Sequence, residues 1–435
     1  MKLLLTGGRV IDPANKINDK LDMLVEDGKI SKIGKNLKAE KAESLDVSGK
    51  IIVPGLIDMH VHLREPGFEY KETIETGTRA ALAGGVTSVA CMPNTEPVID
   101  NAAVVELVVS KSKREGAVNV YPIASLTKGG KCEEVSELGS LAKSGAIAFS
   151  DDAAPVMNAE LMRRAMEYGM QFGLPIICHC EDKNMTQDGV MNESFNSTTL
   201  GLRGMPDTAE SIMVYRNIAI ANYTGAKVHI AHVSCKKSVE IIRWAKKTGL
   251  KVTCETAPHY FTLTDDTVKS YGTNTKMNPP LRLQSDLEAV LEGLADGTID
   301  CIATDHAPHG KIDKEVEYNY AAFGITGLET LLPLTLSELV EKKVLGLEKA
   351  IELMTCAPAK ILGLKKGSLK EGSDADITII DAGKEYIIDV KKFHSKGKNS
   401  PFDGRKVKGV VEAVIVGGVL KFNDGKILEI IDRRR

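Results

Sequence analysis

The sequence predicts an α/β protein: a (β/α)8 barrel of the TIM type, with a small β-sandwich domain built from both chain termini. Three observations carry that prediction. Eight short apolar, β-branched runs recur along the middle of the chain. Helical periodicity fills most of the intervals between them. Strand-and-turn patterning without helices is confined to the two ends.

The eight runs end near His62, Met92, Ala124, Ser150, Cys180, Val233, Glu255 and Thr304, at spacings of 30, 32, 26, 30, 53, 22 and 49 residues. A strand–helix–loop unit takes about 30 residues, so most gaps hold one unit and two carry insertions. Residues 71–83, 102–115, 159–172, 207–223, 236–247 and 285–295 repeat apolar side chains at helical spacing. Gly116, Gly173 and Gly249 follow three of these as stop signals. Buried strands alternating with helices call for a parallel sheet. A closed barrel explains polar residues at so many strand ends better than an open, doubly wound sheet.

The two ends read differently. Residues 1–53 (LLLTGGRVID, DMLVEDGKISKIG) and 365–435 (GSLKEGSDADITIID, VKGVVEAVIVGGVLKF) alternate strands with DG and GG hairpin signals. Neither has enough apolar residues for its own core, so they are expected to pair. The predicted units are therefore 1–53 and 365–435 for the sandwich and 54–364 for the barrel. The basic, polar stretch 391–409, with His394, is expected to be a solvated loop.

Composition excludes several classes. Of 435 residues, 43% are hydrophobic and 26% charged, which is globular and not disordered. Lys plus Arg is 56 against 59 Asp plus Glu, a net charge of −3 with no basic stripe, which gives no support to a nucleic-acid footprint. No run approaches ~20 apolar residues, and MKLLLTGG is too short for a signal-peptide core. No membrane partner and a cytoplasmic location are expected. The eight cysteines should be reduced, buried thiols.

The histidines carry chemistry. His60 and His62 stand two apart on the first barrel strand, hence on one face of it, near the mouth where barrel active sites lie. His179, His232 and Asp305 end the fifth, sixth and eighth strands, and Asp151 and Asp152 follow the fourth. Strand ends converge, so these residues can form one cluster. Imidazole and carboxylate ligands suit zinc and related divalent ions. Four histidines with aspartates are too many for one tetrahedral ion and fit two ions ~3.5–4 Å apart.

Arg64, two residues after His62, leaves the strand on the same face. Its guanidinium suits bidentate carboxylate binding; the alternative is a surface ion pair with Glu65 or Glu69. His309, on the loop over the mouth, is expected to touch substrate. His229, three residues before His232, is expected on the opposite side, in the core or facing a helix. His306 is expected to be structural, and His259 stays open between the two roles. Cys178 and Cys180 flank His179 on the opposite face and are expected to pack rather than ligate.

The strings VPGLIDMHVHLREPG, MPNT, FSDD, CHCED, AHVS, MNPPLR and ATDHAPH resemble the amidohydrolase superfamily and, more narrowly, the class I bacterial dihydroorotases. The resemblance covers essentially the whole chain. It implies metal ligation by His60, His62, Asp152, His179, His232 and Asp305, holding one or two Zn2+ ions, with a binuclear site preferred. It implies substrate contacts from His62, Arg64, Asn94, Asn278, His309, Phe323 and Gly324, with Asp305 as the catalytic proton carrier. The implied reaction is reversible cyclisation of N-carbamoyl-L-aspartate to dihydroorotate in pyrimidine biosynthesis. Hydantoinases and some dihydroorotases carry a carboxylated lysine on strand four. Here that strand is GAIAFSDD and the nearest lysine, Lys143, lies upstream, so Asp152 is expected to bridge unmodified. The alternatives are another cyclic amidase (allantoinase- or hydantoinase-like) and a non-catalytic scaffold of aspartate transcarbamoylase. A homodimer and a complex with aspartate transcarbamoylase are the expected macromolecular partners.

Overall fold

The structure, a computed structural model, describes residues 2–152 and 154–428. Eight parallel strands form its centre: Leu56–Val61, Val86–Cys91, Asn119–Ser125, Ala148–Ser150, Ile176–Cys178, Val228–Ile230, Val252–Thr256 and Cys301–Ile302. They pair in sequence order, and a parallel bridge between Val61 and His306 closes the sheet into a barrel. The strands are sealed by helices outside and side chains inside, which is why they read as unbroken apolar runs rather than alternating ones. Leu56–Val61 and Val86–Cys91 are buried at every position.

The outer helices stand where periodicity placed them: Ile74–Ala83, Ala102–Glu115, Ala159–Met170, Thr208–Thr224, Lys236–Lys247 and Gln284–Ala295. Their starts follow capping chemistry. Asn101 accepts from the Val104 amide, and Asn158 accepts from those of Glu160 and Leu161. The long fifth interval holds short helices and a two-stranded ladder, Met191–Asn192 with Gly204–Met205, before its main helix. Among the described residues, no helix is long and apolar enough to cross a membrane. All eight cysteines are free, and six are buried.

Both chain ends build the second unit. One sheet orders Lys29–Gly34, Asp22–Glu26, Lys2–Thr6 and Glu43–Asp46. The other interleaves the ends: Ile51–Pro54 pairs antiparallel with Ile377–Ile380 of the C-terminal segment and parallel with Arg9–Val10. Leu3, Leu5, Val10, Met23, Val25 and Ile52 share one core with Ile377, Ile379, Ala413 and Ile415. Neither end could bury these residues alone. Asp27–Gly28 and Gly417–Gly418 make the hairpin turns that their sequences signal.

The 391–409 expectation is wrong. Residues 406–416 form a strand, and the preceding segment is a buried strap over the barrel mouth. Ser395, Asn399, Ser400 and Phe402 are buried. The Asn399 amide donates to the Ala307 and Gly324 carbonyls, while its oxygen accepts from the His309 amide. His394 is half-buried, its backbone amide bonded to Glu329. The lysines of the segment point outward and dominate its composition, whereas a few small polar residues hold it down.

Candidate metal centre and active site

The site residues leave the barrel where the ladder ends. His179, His232 and Asp305 each lie just past the last residue of their strands. His232 and Asp305 adopt left-handed backbone, φ 35° and 50°, and Arg64 does so at 61°. Non-glycine residues seldom take this conformation, and they concentrate at functional sites. The turn it makes swings each side chain inward over the barrel.

The structure brings together all six predicted ligands. Asp152 stands among four imidazoles: its Oδ1 lies 3.5 Å from His60 Nε2, 3.6 Å from His179 Nδ1 and 3.7 Å from His232 Nε2, and its Oδ2 lies 3.5 Å from His62 Nε2. Asp305 Oδ1 lies 3.1 Å from His62 Nε2 and 3.5 Å from His60 Nε2. Two triads within this cluster have donor atoms close enough to share an ion, His60, His62 and Asp305, and His60, Asp152 and His232; a third such group is His229, Glu255 and Cys301.

The cluster fits cations on two further counts. His60 Nε2 is fully buried with no hydrogen-bond partner, a cost that a protein removes by coordination or pairing. His179 Nδ1 faces His232 Nε2 at 2.8 Å, although His179 already presents its other nitrogen to Glu181 Oε2 at 3.0 Å. Two imidazole nitrogens meeting this way need a shared proton or a cation.

Outer partners fix which nitrogen each ring presents. His60 Nδ1 lies 2.6 Å from Glu255 Oε1, and His62 Nδ1 lies 2.7 Å from Asn94 Oδ1. A donated Nδ1 proton leaves Nε2 bare, as carboxylate–histidine–metal arrangements require. Glu255 also reaches His229 Nε2 at 3.3 Å, and His229 Nδ1 meets Thr253 Oγ1 at 2.9 Å. His229 therefore lies on Glu255's side of the strands, directly under His60. Of the two expected places, core or helix-facing, it takes the core, but not the side opposite His232: Val228–Ile230 is only three residues long, and counting back from His232 crosses a turn where strand alternation no longer applies.

Burial opposes the charged form of His60 and His179, yet the carboxylates win. Glu255 and Asp152 raise His60 well above its usual range, and Asp152 and Glu181 raise His179 to about 10. Burial likewise disfavours ionised Asp152 and Asp305, but the histidines hold both below the ordinary carboxylate range. Cations loaded into the site would compete with protons for the ring nitrogens of these histidines.

The other predicted residues line one cleft of about 270 Å3 with this cluster: Arg64, Asn94, Asn278, His309, Phe323 and Gly324. Arg64 forms no ion pair with Glu65 or Glu69: Glu65 pairs with Lys111, and Glu69 caps the Gly67 amide. The guanidinium instead donates to the Pro308 carbonyl and faces the cleft. Asn278 donates to Glu181 Oε2 at 2.9 Å. His309 Nε2 lies 2.8 Å from the Phe323 carbonyl. Burial and the charges of Arg64 and Lys71 lower the His309 pKa to about 2, so the ring is neutral. Gly324 has φ 123°, and a Cβ there would meet the Ala307 Cβ at 2.6 Å, so glycine is required.

His306 is structural: its Nδ1 accepts from the Gly327 amide and its Nε2 lies 3.4 Å from Glu72. Asp151 accepts from the His179 and Val156 amides and shapes the turn rather than the cluster. Cys178 and Cys180 pack into the core between barrel and helices. His259 is buried, its Nε2 is unpartnered, and burial lowers its pKa to about 4; it stands outside both triads. Sequence reasoning missed Glu181 and Glu255. The signal for Glu181 was its position two residues after His179. For Glu255 it was a carboxylate ending a strand otherwise made for burial. Glu255→Gln is expected to keep the fold and weaken metal affinity about 10–100-fold. Competition against a chelator measures this, and an unchanged affinity would remove Glu255 from the metal centre.

Comparison with known proteins agrees with this geometry. Residues 49–238 match the family described as dihydro-orotase-like, and residues 202–421 match the amidohydrolase family. A dihydroorotase of Trichlorobacter lovleyi is 55% identical over 97% of this chain and 100% of its own length. One from Pelotomaculum thermopropionicum is 56% identical over 98% of this chain and 99% of its own. The solved L-hydantoinase (dihydropyrimidinase) from Arthrobacter aurescens superposes with a TM-score of 0.90 at 26% identity, covering 98% of this chain and 97% of that one. With near-complete coverage at such identity, and the donor cluster in place, the chain belongs to the dihydroorotase family of the amidohydrolases.

Proposed function

We propose that this chain interconverts N-carbamoyl-L-aspartate and dihydroorotate, using a two-zinc centre held by His60, His62, Asp152, His179, His232 and Asp305. The observation that carries the reading is the Arg64 guanidinium, which has no carboxylate partner among the described residues and lines the same cleft as the donor cluster. A neutral cyclic amide has no use for a fixed fork of donors; a ring bearing a carboxylate does. Metal ions in this donor set supply Lewis acidity and an activated water near neutral pH.

The protein's own groups do the rest. Arg64, with Asn94 and Asn278, holds the substrate carboxylate, and the Phe323–Gly324 backbone and His309 set the ring's orientation. Asp305 accepts a proton from the attacking water. The bond between the ring carbonyl carbon and its nitrogen then breaks, and Asp305 returns the proton to that nitrogen, opening the ring. Ring closure runs the same steps backward.

Asp152, unmodified, would supply the carboxylate that holds the ions among the four imidazoles around it. Reconstitution with zinc is therefore expected to be independent of bicarbonate. A carbon dioxide adduct on any lysine of the intact protein, read by mass spectrometry, would overturn that assignment. A panel of dihydroorotate, allantoin and dihydrouracil tests the substrate, and turnover confined to dihydroorotate is expected. A homodimer and a complex with aspartate transcarbamoylase belong to the same proposal, with light scattering of the chain alone and of the mixture as their test.

A further inference from the structure

Two lysines beside the cleft are buried without a carboxylate. Lys314, in the short helix Lys311–Lys314, is 5% exposed, and Lys276 is 2% exposed. Neither forms an ion pair among the described residues. Burying an ammonium is costly unless other groups replace its hydration. Here backbone carbonyls do so. Lys314 Nζ lies 2.7 Å from the Ala322 oxygen, 3.1 Å from that of Gly324 and 3.3 Å from that of Lys276. That uses all three ammonium protons. Lys276 Nζ donates at 2.9 Å to both the Tyr318 and Asn319 carbonyls, and it sits 4.5 Å from the centre of the Phe323 ring.

These bonds join two stretches of chain. One carries Asn278, two residues beyond Lys276. The other carries Phe323 and Gly324. The Gly324 amide completes the join by donating to the Lys276 carbonyl at 2.9 Å. In the outer part of the second stretch Glu315, Glu317, Asn319 and Tyr320 are exposed, and its apolar anchor is Tyr318, buried with Val190, Met191, Leu202 and Val268. Tyr318 packing anchors the outer turn, but it does not reach across to the segment that carries Asn278, as the Lys314 bonds to the Lys276 and Gly324 carbonyls do. Two desolvated amino groups, donating between them to backbone carbonyls from both stretches of chain, are a strong device for fixing carbonyl directions.

We infer that Lys314 and Lys276 are positioning residues, which clamp the Asn278 and Phe323–Gly324 segments into one substrate-binding wall. The inference rests on the proposed dihydroorotase reaction. Neither lysine reaches the donor cluster, so the clamp acts on binding and not on the chemical step. Contacts equal in ground and transition states change KM and leave kcat alone.

The test uses zinc-loaded, full-length protein with dihydroorotate as substrate. Lys314→Met is expected to raise KM about tenfold or more, with kcat and zinc content near wild type. Hydrogen exchange of the 318–324 amides is expected to quicken. Should Lys314→Met fail to fold, Lys276→Met gives the same reading, since it frees only the Tyr318–Asn319 turn and the Phe323 ring; a smaller rise in KM is expected. An unchanged KM in either folded, zinc-replete variant overturns the clamp, as does a fall in kcat alone. Wild-type protein that ignores dihydroorotate would instead overturn the function, and so the two failures are told apart.

Discussion

Asp305→Asn is expected to abolish turnover while the protein stays folded. The substitution is nearly isosteric, so packing around the barrel mouth is kept. What it removes is the anionic oxygen, 3.1 Å from His62 Nε2 and 3.5 Å from His60 Nε2, that faces the cleft. An amide cannot take a proton from water and return it to the leaving nitrogen. Loss of general acid–base catalysis alone costs about 10²–10⁴-fold, and a weakened ligand adds to it. The left-handed backbone at Asp305 is tolerated by asparagine as well as by aspartate, so the fold has no reason to fail. Circular dichroism and zinc content should accompany the kinetics. A folded variant with wild-type kcat would show that another group carries the proton.

The second large effect is on specificity. Arg64→Met should lower kcat/KM for dihydroorotate by on the order of 10²-fold or more, because hydrogen bonds to charged groups contribute about 1.5–3 kcal/mol each and ~1.4 kcal/mol is tenfold. Arg64 is half-buried, lines the cleft and lacks a carboxylate partner among the described residues, so its charge is available to the substrate. It is not in either donor triad, and zinc content should not change. Arg64→Lys should recover part of the loss, since an ammonium keeps the charge but not the two parallel donors. If Arg64→Met retains kcat/KM, the clamp belongs elsewhere and the dihydroorotate assignment weakens.

The barrel and its mouth were legible because both depend on short-range pattern. Fully buried strands print themselves as apolar runs, and residues that close such a run share one end of the barrel by topology. That placed His60, His62, His179, His232 and Asp305 together without any knowledge of the fold's detail. Other features depend on long-range pairing and left no local trace. Glu255 reaches His60 across 195 positions of sequence, and nothing in KVTCE marks that partner. His229 was misplaced because strand alternation was carried through a turn. The 391–409 segment looked solvated because its lysines outnumber Ser395, Asn399 and Phe402, the residues that bury it. Lys276 and Lys314 had the least signal of all, since lysine in a loop reads as surface. Ligand identity was carried by residue type and spacing, whereas the shell that orients the ligands had to be seen.

The central claim is that one cleft joins a two-ion donor cluster to a carboxylate clamp for dihydroorotate. The most direct test is one preparation of the full-length chain, assayed for carbamoyl aspartate–dihydroorotate interconversion in both directions and analysed for metal on the same sample. The account predicts turnover both ways, zinc approaching two ions per chain in the active protein, loss of activity on chelation and recovery on adding zinc back. Activity that survives complete metal removal, or a fully zinc-loaded protein that leaves both compounds untouched, would contradict it.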